Sequence, residues 1–207
     1  MSGAAPPSRW RASPRRFGRL VAGLWMFGTG EGLVVHSDLG NSPWTVLSEG
    51  VSLHTPLSIG VATIAISGCV LLLWIGLRQR PGLGTVLNAI LIGVAIDVTL
   101  ALTSDHPGIV ERWLALVGGV ALVAAGSGFY LGTALGPGPR DGLMTGLHRV
   151  TGIAVARVRV AIELSALAAG ALLGGTVGFG TVFFAVTIGP AVQLALRLLS
   201  PVAPAQL

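Results

Sequence analysis

The chain has 207 residues, of which 52% are hydrophobic and only 10% are charged, and its mean hydropathy is +0.80. A soluble domain carries about a quarter charged residues, so this composition excludes an ordinary soluble domain and indicates an integral membrane protein. The net charge of +5 comes from thirteen cations, all of them arginines that flank apolar segments. We interpret them as determinants of topology and expect no nucleic-acid partner.

The chain divides into an Arg- and Pro-rich tail and one transmembrane domain. Residues 1–16 are predicted to form a disordered cytoplasmic tail, and residues 17–207 a single domain in the lipid bilayer. Segments of about twenty apolar residues cross ~30 Å of hydrocarbon as helices. Six such spans are predicted: Phe17–Val35, Leu57–Leu77, Gly84–Leu102, Trp113–Leu135, Ile153–Leu173 and Thr181–Leu199.

Arginines alternate between the connections in a way that predicts orientation. The tail and the third and fifth connections are rich in arginine, the connections 37–56 and 174–180 contain none, and Arg112 alone lies in the fourth. We expect a multi-pass protein of the bacterial inner membrane. Because arginines are retained on the cytoplasmic side, this pattern predicts that both termini are cytoplasmic.

Two segments are too short to cross the bilayer, and both begin with proline. They are Pro43–Leu53, within "LGNSPWTVL", and Pro139–Val150, within "LGPGPRDGL". Proline suits the first position of a helix, Ser42 and Gly138 suit the N-cap, and a free helix N-terminus attracts anions. Each segment is therefore predicted to be a broken helix inside the membrane, or else a half-helix in the interface with Trp44 as a belt residue.

The adjacent pair Arg140 and Asp141 follows the second of these prolines. Asp141 in the first turn is expected to be stabilised by the helix dipole and to accept backbone N–H groups. Arg140 then stays available, and its planar guanidinium suits a carboxylate, sulfonate or phosphate.

The two short segments belong to an internal repeat with an offset of 96 residues. Eight glycines coincide between the halves, among them Gly40 with Gly136 and Gly84 with Gly180, far more than chance gives. Each half (about 17–102 and about 113–199) contains three spans, so the second half is predicted to be inverted. Inverted repeats are typical of secondary transporters, although small membrane proteins also duplicate for stability alone.

Three carboxylates lie within apolar spans, where an unpaired charge costs at least about 2.5 kcal/mol. They are Glu31, Asp97 and Glu163; Arg159 lies one turn before Glu163 and is predicted to pair with it. Asp97 aligns with Gln193 in the repeat, whereas Asn88 aligns with Phe184. These groups form either a proton- or substrate-binding cluster or structural salt bridges. No catalytic, cofactor or metal-binding pattern is present, so we expect no enzyme and no cofactor.

Four stretches together resemble the YczE/YyaS/YitT-type family of small bacterial multi-pass membrane proteins. They are "DLGNSPWTVLSEGV", "RPGLGTVLNAILIGVAID", "LGPGPRDGLMTGL" and "GGTVGFGTVFFAVTIGP". The matching positions include Asp38, Pro43, Trp44, Asn88, Asp97, Pro139, Arg140 and Asp141. The resemblance implies a bacterial membrane protein, with support of another system as one role.

The sequence thus predicts an all-α membrane protein that acts as a secondary transporter of a small anionic organic solute. The alternative is a non-transporting partner or regulator of another protein, acting as a homodimer or with a membrane partner protein. The predicted substrate-binding residues are Glu31, Asp38, Pro43, Trp44, Asn88, Asp97, Pro139, Arg140, Asp141, Arg159 and Glu163.

Overall fold

The computed structural model describes residues 9–104 and 107–199, which form eight α-helices and no strand. The helices are α1 (Pro14–Ser37), α2 (Pro43–Leu53), α3 (Ile59–Gly76), α4 (Leu83–Leu102), α5 (Ile109–Leu131), α6 (Pro139–Thr151), α7 (Val155–Leu172) and α8 (Phe179–Leu199). The all-helical prediction is confirmed for this part of the chain.

The N-terminal tail is only partly described. Residues 1–8 of the predicted disordered tail lie outside the described residues, but residues 9–16 are ordered. Ser13 caps α1 by accepting the backbone N–H of Arg16 at 3.4 Å, with proline next to the cap. The carbonyl of Arg9 accepts the backbone N–H of Leu83 at 3.0 Å. The predicted boundary at residue 16 was therefore too late, because capping and docking order the segment before it.

Four helices, α3, α4, α5 and α8, are long and apolar enough to cross a membrane. The other two predicted spans are also helical in the structure. However, α1 contains three arginines and Glu31, and α7 contains Arg157, Arg159 and Glu163, which lowers their hydropathy. Charges within otherwise apolar helices indicate positions that need partners inside the protein.

The two short helices begin at the predicted prolines. Helix α2 has the predicted bounds, and α6 ends one residue later than predicted, at Thr151. A glycine with positive φ precedes each of them, Gly40 at 114° and Gly136 at 122°. Residues with a side chain rarely adopt a positive φ. At these two glycines, the positive φ turns the chain back into the bundle before each short helix.

The two halves correspond element by element at the same offset. Helices α2, α3 and α4 begin at residues 43, 59 and 83, and α6, α7 and α8 begin at 139, 155 and 179. Residues with positive φ also recur in pairs, Asp38 with Ala134 and Arg78 with Gly174. The pairing extends to the turns, where sequence similarity between the halves is weak.

Helices α1 and α5 cross at the centre of the bundle through glycines. A Cβ atom at Gly30 would lie 2.6 Å from the carbonyl oxygen of Gly119, and one at Gly23 would lie 2.7 Å from the backbone nitrogen of Tyr130 and 2.9 Å from the carbonyl oxygen of Gly126. Because the earlier glycine of α1 contacts the later glycine of α5, the two helices are antiparallel. Helix α4 packs on α1 and α8 packs on α5, which extends the bundle on both sides.

Each short helix packs against the third helix of the other half, α2 on α7 and α3 on α6. The indole of Trp74 in α3 lies against Gly142 in α6, and Gly170 in α7 lies against the backbone of Val46 and Leu47 in α2. The two contacts occupy equivalent positions in the repeat. Gly142 of α6 faces the larger residue Trp74 on α3, whereas Gly170 of α7 faces the larger residue Val46 on α2.

The halves differ in how their last two helices pack. Helices α3 and α4 touch at Gly60 and Gly93, whose backbones are in direct contact. Helices α7 and α8 make hardly any contact over the described residues, and a Cβ at Gly189, the counterpart of Gly93, would meet no atom within 4 Å. The bundle is therefore closed between α3 and α4 and open between α7 and α8.

Candidate functional site

A cavity of about 500 Å³ lies between the two halves and is lined by all eight helices. The structure brings eight of the eleven predicted site residues to this cavity. They are Glu31, Pro43, Trp44, Asn88, Arg140, Asp141, Arg159 and Glu163. The N-termini of both short helices therefore meet at one place, although they are 96 residues apart in the chain.

Arg140 lies in the first turn of α6, and its guanidinium carbon lies 4.8 Å from the centre of the Trp44 ring. A cation over an indole face is stabilised by the ring quadrupole. Among the described residues, no acceptor forms a hydrogen bond or ion pair with this guanidinium. Trp44 is only 8% exposed, so it is a wall of the cavity and not an interfacial belt residue.

Asp141 is held by a residue from the central helix α5. The hydroxyl of Tyr130 donates to Oδ2 of Asp141 at 2.9 Å. The expectation that Asp141 caps its own helix was wrong, because α6 has no side-chain cap and its N-cap is Gly138. The buried phenol needs an acceptor, and Asp141 supplies it, which keeps this carboxylate engaged although Arg140 is its neighbour in sequence.

Glu31 is 2% exposed and lies on α1 where glycines allow close packing. Its Oε2 accepts hydrogen bonds from Ser42 at 2.8 Å and from Thr45 at 2.7 Å. Ser42 is the N-cap of α2, as predicted, but its side chain makes no capping bond because it donates to Glu31 instead. The carboxylate is thus satisfied by neutral hydroxyls and forms no ion pair with any described residue.

Arg159 and Glu163 pair within α7, as the spacing predicts. The Nε–Oε1 distance is 3.0 Å. Both line the cavity, and Arg159 is exposed whereas Glu163 is partly buried. Asn88 is buried on the opposite wall, and its counterpart Phe184 lines the same cavity.

Three predicted residues lie elsewhere. Asp38 accepts from Arg112 at 3.0 Å at the end of α1, because its left-handed backbone turns the side chain toward α5. Asp97 accepts from Ser58 at 2.5 Å and from the backbone N–H of Gly60 at 2.8 Å, at the first turn of α3. Pro139 contributes its carbonyl to Trp74 Nε1 at 3.0 Å.

Several hydroxyl side chains of the cavity were not predicted. Ser127 and Tyr130 on α5, and Thr63 and Ser67 on α3, line it, and Thr45 contacts Glu31. Single hydroxyl groups in apolar helices are common, so they give no local signal. Tyr130 is the exception, since it is the only tyrosine in the chain.

Apart from Gln193, most of the remaining lining is apolar and comes mainly from α5 and α8. It includes Phe27, Ile92, Val123, Leu131, Met144, Phe184, Ile188, Val192 and Leu196. A cavity that combines one unpaired guanidinium with apolar walls can hold an organic anion that has a charged head and an apolar body.

Comparison of the sequence with known proteins assigns the chain to a family. The model of a family of unknown function, DUF6198, matches residues 14–197. The chain belongs to this family. An uncharacterized protein of Haemophilus influenzae is 39% identical over 95% of the chain and 90% of the relative. Among Bacillus subtilis proteins, the uncharacterized membrane protein YczE is 35% identical over 84% of the chain and 82% of its own length.

A second Bacillus subtilis protein, YyaS, is 24% identical over 77% of the chain and 81% of its own length. These relatives confirm the resemblance that the motifs indicate. No solved structure matches the chain. The apolar helices and the name of YczE together identify a membrane protein in a family whose function is unknown.

Proposed function

We propose that the protein is a secondary transporter of a small anionic organic solute. The observation that carries this proposal is the guanidinium of Arg140, which lies over Trp44 in a cavity between the halves without an acceptor among the described residues. No described carboxylate forms an ion pair with this guanidinium, although Glu31 and Asp141 line the same cavity. An anion in the cavity supplies a charge-assisted hydrogen-bonding partner, and the apolar walls accommodate its organic body.

The proposed topology is six membrane spans arranged as two inverted repeats. Three spans in each half require the second half to enter the membrane from the opposite side. The antiparallel crossing of α1 and α5 through Gly30 and Gly119 supports this arrangement, since equivalent helices of inverted repeats run in opposite directions. The cavity lies where transporters of this kind bind their substrates.

The unequal packing of the halves supports alternating access. If the termini are cytoplasmic, the closed contact of Gly60 with Gly93 lies toward the outside and the open region near Gly189 lies toward the cytoplasm. Exchanging the two arrangements between the halves would close the inner side and open the outer side. In this proposal, the described arrangement corresponds to an inward-facing state.

Binding and uptake of a permanently charged aromatic anion, p-toluenesulfonate, test the proposal. Arg140→Lys keeps the charge but loses the planar fork, so we expect binding to weaken roughly tenfold or more, with normal abundance in the membrane. One charge-assisted hydrogen bond contributes about 1.5–3 kcal/mol, and 1.4 kcal/mol corresponds to a factor of ten.

Arg157→Lys is the matched control, because Arg157 is exposed on α7 and is not part of the cavity. It should bind the sulfonate as the wild type does. Equal binding by Arg140→Lys and the wild type would remove the ligand role. A wild-type protein that neither binds the sulfonate nor carries it into proteoliposomes would favour the alternative of a non-transporting partner of another protein.

A further inference from the structure

The charged groups of the cavity do not balance. Three carboxylates, Glu31, Asp141 and Glu163, face two guanidinium groups, Arg140 and Arg159. An anion that binds Arg140 adds a further negative charge to the cavity. Like charges repel more strongly in a partly buried cavity than in bulk water, so neutralising one carboxylate favours anion binding.

Two of the three carboxylates contact a charged or aromatic side chain of the cavity. Glu163 forms an ion pair with Arg159 at 3.0 Å. Asp141 accepts the hydroxyl of Tyr130 at 2.9 Å.

Glu31 has different surroundings. Its two hydrogen-bond partners are the hydroxyls of Ser42 and Thr45, whose oxygens lie 3.0 Å apart. Hydroxyls both donate and accept. When Glu31 carries a proton, it can therefore donate a hydrogen bond to Ser42 or Thr45 in place of accepting one. Glu31 lines the same cavity as Arg140, so its carboxylate and a bound anion would both interact with that guanidinium.

Building on the proposed transport function, we propose that Glu31 is the proton-binding site that couples anion binding to proton uptake. The ionised carboxylate of Glu31 and the substrate anion compete for the positive charge of Arg140. One proton moves from water to Glu31 as the anion binds, and both leave together on the other side. The protein is then a proton–anion symporter.

Proton uptake on binding tests this proposal directly in the purified wild-type protein. Calorimetric titration with p-toluenesulfonate in buffers of different ionisation enthalpy gives the number of protons taken up. The probe stays ionised throughout, so any proton must bind to the protein. We expect about one proton for each anion, and an affinity that falls about tenfold per pH unit where Glu31 is ionised.

Glu31→Gln should bind the sulfonate with no proton uptake and with an affinity independent of pH. In proteoliposomes it should exchange labelled for unlabelled sulfonate but lose accumulation driven by a pH gradient. Glu111→Gln is the matched control and should keep the proton uptake, since Glu111 pairs with His36 at 3.0 Å and does not line the cavity.

The outcomes separate the two proposals. Wild-type binding without proton uptake, or proton uptake that persists in Glu31→Gln, would overturn the coupling role and leave anion transport standing. Absence of any sulfonate binding by the wild type would contradict the transport function itself. The wild-type titration decides the question even if Glu31→Gln does not fold.

Discussion

The hydroxyl of Tyr130 lies 2.9 Å from Oδ2 of Asp141 and donates a hydrogen bond to it. This contact joins the central helix α5 to the first turn of α6. It engages the carboxylate that follows Arg140 in the sequence. The positive charge of Arg140 thus remains directed at the cavity and the Trp44 ring.

Tyr130→Phe removes this hydrogen bond and little else. We expect Asp141 to turn toward Arg140, and the affinity for p-toluenesulfonate to fall roughly tenfold, as for loss of one hydrogen bond to a charged group. Titration of the purified variant measures the change. The double variant Tyr130→Phe with Asp141→Asn should regain the affinity, because the competing charge is gone. Unchanged affinity in Tyr130→Phe would show that Tyr130 does not keep Arg140 free.

Orientation of the two halves can be tested at equivalent positions. Thr55 and Thr151 are 96 residues apart, both are exposed, and each donates to the carbonyl of the residue four positions earlier. In a Cys69→Ala background, a cysteine at Thr55 should react with an impermeant thiol reagent from outside intact cells. One at Thr151 should react only after the cells are opened. Labelling of both from the same side would rule out inverted halves.

The glycine crossing of α1 and α5 should be sensitive to a single methyl group. A Cβ at Gly119 would lie 2.7 Å from the carbonyl oxygen of Gly30, whereas one at the neighbouring Gly118 would meet no atom within 4 Å. We expect Gly119→Ala to lower the free energy of unfolding by about 1–3 kcal/mol. Gly118→Ala should be neutral or stabilising, since alanine favours helix by about 1 kcal/mol. Thermal unfolding in detergent compares the two, and equal stability would argue against the close crossing.

Asp97 bonds to the first turn of α3 and supports the closed contact of α3 with α4. Asp97→Ala removes its bonds to Ser58 and Gly60, and we expect the outward-facing population to rise at least tenfold, since even one hydrogen bond to a carboxylate contributes about 1.5–3 kcal/mol. A cysteine at Ser127, a cavity residue, reports this as faster labelling from outside in the Cys69→Ala background. Asp38→Ala should have no such effect, because its bond to Arg112 lies away from this contact. Equal labelling rates in the parent protein, Asp97→Ala and Asp38→Ala would show that Asp97 does not hold the contact of α3 with α4 closed.

Local signals predicted the helices well. Proline at the first position and a glycine before it define where α2 and α6 begin, and apolar runs define the long helices. The hydropathy of α1 and α7 was harder to interpret, because charges such as Glu31 and Arg159 interrupt them. Whether these charges face the protein depends on packing between helices, which periodicity in one helix does not reveal.

The candidate site was predicted only in part, since it is assembled from both halves. Arg140 and Trp44 have unusual neighbours in sequence and so could be singled out. Asp97 was predicted to bind substrate but lies outside the cavity. A carboxylate within an apolar run indicates that a partner is needed without identifying it, and here the partner is the first turn of α3. The roles of Tyr130 and Thr45 depend on contacts with other helices, which sequence spacing does not give.

The contacts of Trp74 with Gly142, and of Val46 with Gly170, have a consequence for the ancestry of the chain. Two copies of the first half would oppose Trp74 with Val46, which leaves no room for the indole. Two copies of the second half would oppose two glycines and leave a void. Each half has therefore become an obligate partner of the other. Separately expressed halves should therefore assemble as a heterodimer and not with themselves, and joining them in one chain keeps their stoichiometry at one to one.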